Sequence, residues 1–276
     1  MTGTPAPAAI TWLFVPGDRP DRFDKARGSG ADEVICDLED AVAAHAKDRA
    51  RGDVVGWLAA SGSAWVRINA PGTPWHAGDV AALAGLPGLR GVVVPKAETA
   101  AALHAIGHGV HADVIALIET AVGVHRAHEI AGAEVVRRLA FGSIDYALDI
   151  DADESDESLM LARATLVLAS RVARKPPPID GVTMNLTDAA VTEAAARRAR
   201  RTGFGGKLCV HPAQLVPAAM AFQPTREELR WAKDVLRRAA ESGTGASAAD
   251  GDMIDRPLLE RARRIAGHAA GRGTVV

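Results

Sequence analysis

The sequence predicts an α/β fold: a (β/α)8 TIM barrel followed by a C-terminal helical lid segment. Three observations carry that expectation. Eight short apolar runs recur, at residues 12–16, 33–37, 65–69, 91–95, 114–119, 138–142, 179–184 and 207–211. Each is apolar without alternation, the mark of a strand buried on both faces. Stretches with helical spacing separate them, and strict strand–helix alternation implies right-handed βαβ units and a parallel sheet. Eight such units fit a closed barrel, for which about 250 residues is typical. A doubly wound open sheet is the rival, weakened because no GxGxxG follows the first run.

Each element follows in order. The first run ends in Pro16-Gly17-Asp18-Arg19 and leads into a helix over 19–28. The second ends in Asp37-Leu38-Glu39-Asp40, before a helix over 45–60. The third ends in Arg67-Ile68-Asn69 and the fourth in Pro95-Lys96, followed by a helix over 98–106. The fifth ends in Glu119-Thr120, with a helix over 123–131. The sixth ends in Gly142-Ser143-Ile144-Asp145, with a helix over 163–174. The seventh leads to Asn185 and a helix over 187–202, and the eighth ends in His211-Pro212. After Ala221 the character changes. Thr225 and Glu228 form a capping box for a helix running to Glu241. Residues 242–250, SGTGASAAD, are too small and polar to pack and suggest a hinge or mobile loop. A last amphipathic helix covers 256–268. The expected division is a barrel over 1–223 and a helical extension over 224–276.

Composition narrows the function. The 276 residues carry 32 Lys+Arg against 34 Asp+Glu, a formal net charge of −2. That balance argues against a nucleic-acid or anionic-membrane binder. Hydrophobic residues make up 48% and aromatics only 4%, so an ordered core is expected and it must be aliphatic. No apolar run reaches membrane-spanning length. Residues 1–9 lack the charged-then-apolar pattern of a signal peptide. Two cysteines, Cys36 and Cys209, cannot build a disulfide framework. They read as small core residues, and a cytoplasmic protein is expected.

In a (β/α)8 barrel the chemistry sits at the C-terminal ends of the strands. Here several acids, an arginine, a lysine and a histidine converge on that rim. Any one of Asp37, Glu39 and Asp40 could simply cap the next helix. As a set they point to a site, because buried charge is costly unless paired or bound to a metal. Glu119 and Asp145 end consecutive strands, so the barrel would set them side by side. Two such carboxylates suit Mg2+, which keeps open positions for water and substrate. No His/Cys cluster has zinc spacing. Arg67 on the same rim can clamp a carboxylate bidentately. Metal and arginine together suit a 2-oxo acid or an enolate. The plainer alternative for Arg67 is an ion pair with Asp37 or Glu119.

These motifs resemble the HpcH/HpaI aldolase and citrate lyase group, in its citrate lyase beta-subunit-like, acyl-CoA ester lyase branch. Leu13-Phe14-Val15-Pro16-Gly17, Asp37-Leu38-Glu39-Asp40-Ala41-Val42 and Val66-Arg67-Ile68-Asn69 come in that family's order. So do Val94-Pro95-Lys96-Ala97-Glu98, Ile118-Glu119-Thr120, Phe141-Gly142-Ser143-Ile144-Asp145 and Val210-His211-Pro212-Ala213-Gln214. The resemblance spans residues 11 to about 223. It implies a Mg2+-dependent barrel enzyme that assembles as a homotrimer or hexamer. It makes Glu119 and Asp145 the metal ligands and Arg67 the holder of the substrate carboxylate. Asp37 and Glu39 become rim acids that orient water and Arg67, and the backbone at Gly142 contacts the oxo acid. Arg19, Arg22 and Lys25 match the region that meets coenzyme A phosphates, with solvated helix charge an equal reading. In the tail, Met253-Ile254-Asp255-Arg256-Pro257-Leu258-Leu259 resembles the segment of the acyl-CoA branch whose aspartate covers the active site. Asp255 would be its acid/base, and it also suits an N-cap of the last helix.

The expected activity is cleavage of a 3-hydroxy-acyl-CoA, citramalyl-CoA or malyl-CoA type, to acetyl-CoA and a 2-oxo acid. A malyl-CoA thioesterase or malate-synthase-like reaction is one alternative. A citrate lyase beta subunit acting on citryl-acyl-carrier protein is another.

Overall fold

A computed structural model of the chain describes residues 9–241, 247–249 and 252–271. It divides into two compact units, one over 8–220 and one from Ala221 onward. In the first, eight parallel strands close into a barrel in sequence order. They are β1 (Thr11–Pro16), β2 (Glu33–Asp37), β3 (Ala64–Arg67), β4 (Leu89–Val94), β5 (Val114–Ile118), β6 (Val136–Phe141), β7 (Ile179–Asp180) and β8 (Gly206–Cys209). The (β/α)8 expectation holds. The ring closes where Thr11, Trp12 and Leu13 pair with Lys207, Leu208 and Cys209.

Every strand sends a side chain inward to one layer: Trp12, Ile35, Trp65, Val93, Ile115, Leu117, Ala140, Ile179 and Leu208. Side chains alternate along a strand, so the next inward positions toward the C-terminal end follow directly. They are Phe14, Asp37, Arg67, Glu119 and Gly142. The apolar floor and the charged rim are two layers of one barrel interior. At the opposite end, inward Arg138 donates to the carbonyls of Ala9 and Pro177 and faces the Trp12 ring. Burial pushes its guanidinium down to about 9.

Most strand ends shift by a residue or two, but β7 differs in kind. The run at 179–184 forms only two strand residues, because Gly181 turns its carbonyl to Lys207 Nζ and Thr183 turns its own to Gln214 Nε2. On the outer face of that short strand, Asp180 is held by buried Arg163 and Lys207. Helices at His76–Leu83 and Ser143–Asp149 were not expected from the sequence. The helix expected at 163–174 instead spans Asp156–Val172, started by Ser155, whose Oγ accepts from Ser158 N. On the helix Ala189–Arg201, Arg197 pairs with Glu193 and Arg198 with Asp156 at the surface.

In the second unit, Arg226–Glu241 packs on Arg256–Gly271. Ala232, Val235 and Ala262 are buried there, with Trp231, Leu236, Leu258, Leu259 and Ile265 around them. The Thr225/Glu228 capping box forms as expected. Within the stretch expected to be an unstructured hinge, 247–249 is instead a strand, paired antiparallel with Asp252–Ile254. The rest of that stretch, and residues 1–8 of the N-terminal expectation, lie outside the described residues. Among the described residues, no helix is long and apolar enough to cross a membrane.

Candidate active site

The C-terminal mouth of the barrel is organised by one guanidinium. Arg67 leaves the end of β3 and donates Nε–H to Asp37 Oδ1 at 2.7 Å and Nη2–H to Asp37 Oδ2 at 2.6 Å. This is the bidentate fork that suits arginine to a carboxylate. Nη1 lies 2.9 Å from Glu39 and 3.2 Å from Asp40. Below, the Phe14 ring centroid is 4.9 Å from the guanidinium carbon. Burial works against the charge, and the pull of Asp37, joined by Glu39 and Asp40, outweighs it, so Arg67 stays protonated. The ion pair with Asp37 posed as the plainer alternative is therefore present, and it also aims the guanidinium.

Asp37 is held as firmly. Its oxygens accept the backbone N–H groups of Glu39 and Ala41, which folds the chain after β2 over the strand end. Lys47 secures that turn from beneath, with Nζ 2.8 Å from Leu38 O and 2.7 Å from Glu39 O. A second network anchors the chain after β3. Buried Asp79 accepts from Asn69 N, Asn69 Nδ2 and Arg51 Nε. Neither Lys47 nor Asp79 was a sequence-level candidate. Lys47 opens a helix, where a charged residue signals a solvated face, and Asp79 lies in a helix that the sequence pattern did not show.

Glu119 emerges from β5 with only 2% of its surface exposed. Its Oε1 accepts the backbone N–H of Lys96 at 2.8 Å. Its Oε2 lies against Gly142, where a Cβ would stand 2.5 Å from it, so only glycine fits. Burial pushes the Glu119 carboxyl up to about 8, and the negative charges of Glu39 and Asp145 add to the shift. Asp145, half-buried, stands in the first turn of the helix Ser143–Asp149. Glu39 is raised to about 7, chiefly by burial. Its Oε2 is buried beside Arg67 without hydrogen-bond geometry. The mouth thus holds more buried negative charge than Arg67 neutralises. Glu119 and Asp145 could hold a hard divalent cation, which would relieve that excess. Among the described residues no group of three His, Cys, Asp or Glu forms a metal cage. That pairing suits Mg2+, which uses one or two carboxylates and keeps waters or substrate oxygens elsewhere.

The structure thus brings Arg67, Asp37, Glu39, Glu119, Gly142 and Asp145 to one rim. Arg19, Arg22 and Lys25 lie exposed on the connection that follows β1, and Arg19 pairs with Asp21. Asp255 belongs to the second unit. It is exposed, and its Oδ1 accepts from Leu258 N at 2.9 Å, the N-cap role. Cys36 and Cys209 are buried, and burial pushes both thiols up, Cys209 to about 11.

The model of the HpcH/HpaI aldolase/citrate lyase family matches residues 11–212. The chain belongs to that family. A citrate lyase subunit beta-like protein of Mycobacterium tuberculosis is 37% identical over 92% of this chain and 93% of its own. A (3S)-malyl-CoA thioesterase of Cereibacter sphaeroides is 31% identical over 91% of each chain. Among solved structures, CitE of M. tuberculosis in complex with magnesium, acetoacetate and coenzyme A superposes with a TM-score of 0.84. It is 35% identical and covers 95% of this chain and 98% of its own. The family match runs through every rim residue described above.

Proposed function

We propose that the chain is a Mg2+-dependent carbon–carbon lyase of a 3-hydroxy-acyl-CoA of citramalyl-CoA or malyl-CoA type, releasing acetyl-CoA and a 2-oxo acid. The observation that carries this reading is Arg67 facing an over-acidic rim that ends in the Glu119–Asp145 pair. The CitE complex with magnesium, acetoacetate and coenzyme A supports it.

Glu119 and Asp145 would hold Mg2+, which supplies Lewis-acid stabilisation to developing negative charge on oxygen when bound. Arg67, fixed by Asp37, holds the substrate carboxylate and polarises the oxygen at the bond that breaks. Its preset fork limits the reorganisation needed as charge builds. The backbone at Gly142, held open by its fit against Glu119, contacts the oxo acid. As the C–C bond breaks, the substrate hydroxyl gives its proton to solvent and its oxygen becomes the carbonyl of the 2-oxo acid. The electron pair of the broken bond passes to the thioester as an enolate, and Asp255 would relay a proton from solvent to the enolate carbon. Arg19, Arg22 and Lys25 meet the coenzyme A phosphates as exposed cations. Leu161, Leu168 and Val172 form an exposed apolar stripe on one helix, which suits assembly into a homotrimer or hexamer. Two free buried thiols fit a cytoplasmic enzyme.

The test is a product assay with (S)-citramalyl-CoA and malyl-CoA, with Mg2+ and with chelator. Acetyl-CoA plus pyruvate or glyoxylate, lost on chelation, is expected. Free CoA plus the hydroxy acid would transfer the protein to the thioesterase class, the second reading, which the C. sphaeroides relative favours. Turnover of neither would leave the citryl-acyl-carrier-protein reading. In the same assay Gly142→Ala should lose at least tenfold in kcat, since its Cβ would overlap Glu119 Oε2. Activity within twofold of wild type would remove Glu119 from the site.

A further inference from the structure

We propose that Lys96 is a positioning residue for Glu119, and that it acts through its backbone rather than its charge. The inference rests on the metal-site reading above. Lys96 follows β4 and Pro95 with φ of +48°, in the left-handed region that ordinary side chains avoid. Lysine has no side-chain means of easing that conformation, unlike asparagine or aspartate. Strain of this kind persists where surrounding structure imposes it, and it clusters at functional sites.

The surroundings show what imposes it here. The turn aims the Lys96 N–H at Glu119 Oε1, 2.8 Å away. The next residue, buried Ala97, donates its N–H to Leu117 O at 3.1 Å, which wraps the end of β4 around β5. An extended residue at 96 would carry the chain on along the strand and break the Ala97 N–H bond to Leu117 O that holds the turn, and with it the peptide plane that carries the Lys96 N–H. Glu119 is therefore gripped from two sides, by the Lys96 N–H on Oε1 and by the bare Cα of Gly142 beside Oε2. One oxygen is committed to the protein and the other is left for a cation.

The Lys96 side chain is exposed, and its Nζ makes no ion pair among the described residues. It borders a cavity of about 290 Å³ that Pro71, Val94, Thr99 and Leu103 also line. There is room for other side chains, so substitutions at 96 probe backbone conformation rather than crowding.

The experiment measures Mg2+ affinity by calorimetry and the Mg2+-induced rise in Tm for wild type, Lys96→Gly, Lys96→Asn, Lys96→Ala, Lys96→Val and Lys96→Arg. Affinity should follow tolerance of the left-handed conformation. Gly and Asn should match wild type within threefold or bind more tightly, Ala should fall between, and Val should lose at least tenfold. Should Lys96→Val fail to fold, the Gly, Asn and Ala ranking decides. Retention of affinity in Lys96→Arg alone, with all neutral variants weakened alike, would make the charge the operative feature and overturn the proposal. So would a lower metal-free Tm in Lys96→Val with an unchanged Mg2+ increment, which is the mark of a merely structural role. A wild-type protein that binds no Mg2+ would overturn the metal site itself, separately from any ranking among variants.

Discussion

Arg67→Ala is expected to lower kcat/KM at least a hundredfold and to destabilise the fold. Asp37 has 1% of its surface exposed and Glu39 7%, and both face Arg67. Truncating one partner of a buried ion pair typically costs about 3–5 kcal/mol, because the other charge remains without its counter-charge. Arg67→Lys separates the two effects. One ammonium restores a counter-charge but cannot reproduce the fork across both oxygens of Asp37. Lys should recover part of the stability and little of the activity. Urea titrations followed by circular dichroism measure the first quantity and initial rates with Mg2+ the second. An alanine variant that keeps activity within tenfold of wild type would mean that Arg67 holds the rim together and does not hold substrate.

The second large effect concerns Glu119→Gln, and its sign depends on metal and pH. In the metal-free protein the Glu119 carboxyl is raised from an ordinary 4.5 to about 8. The folded state therefore binds a proton that the unfolded state releases between those values. Stability from this group is fully present below about pH 4.5 and is lost as pH rises through 8. Shifts of this size correspond to a few kcal/mol, at 1.36 per pH unit. Glutamine stays neutral and still accepts the Lys96 N–H. Metal-free Glu119→Gln should thus melt higher than wild type at pH 8, by roughly 10–20 °C given about 2–4 °C per kcal/mol for a chain of this size. At pH 5 the gap should narrow. Adding Mg2+ should raise the Tm of wild type and leave the variant unchanged, reversing their order at saturating metal. Equal melting at pH 8 without metal would show that Glu119 bears no buried charge to relieve.

The barrel was legible because the buried runs are apolar, all but 138–142 carry β-branched residues, and polar residues stand at or just past the C-terminal end of the runs. The rim was legible for the same reason: Asp37, Arg67 and Glu119 each interrupt a run at its C-terminal end. What supports the rim was not. Asp79 and Lys47 sit in helices and look like solvated charges, yet tertiary contacts bury them. The helix Ser143–Asp149 hid in what read as the end of the sixth strand, since seven residues are too few for an amphipathic period to emerge. The run at 179–184 misled because Ile179, Val182 and Met184 look strand-like. The side chains of Lys207 and Gln214 take the carbonyls that a neighbouring strand would have claimed.

That short seventh strand has a mechanical consequence. From β1 to β6 the wall is stitched by long registers, five residue pairs between β5 and β6 alone. Between β6 and β7 there is one pair, and between β7 and β8 there are two. A cylinder with one thin stave deforms there first, and backbone opening follows local bonding. Arg67 and Glu119 stand on the stiff arc, whereas Asp145 stands on the helix that departs from β6, at the edge of the soft stave. The rim is therefore unequal in compliance. Its guanidinium and one carboxylate are carried by the long registers, while the second carboxylate is carried beside the short one.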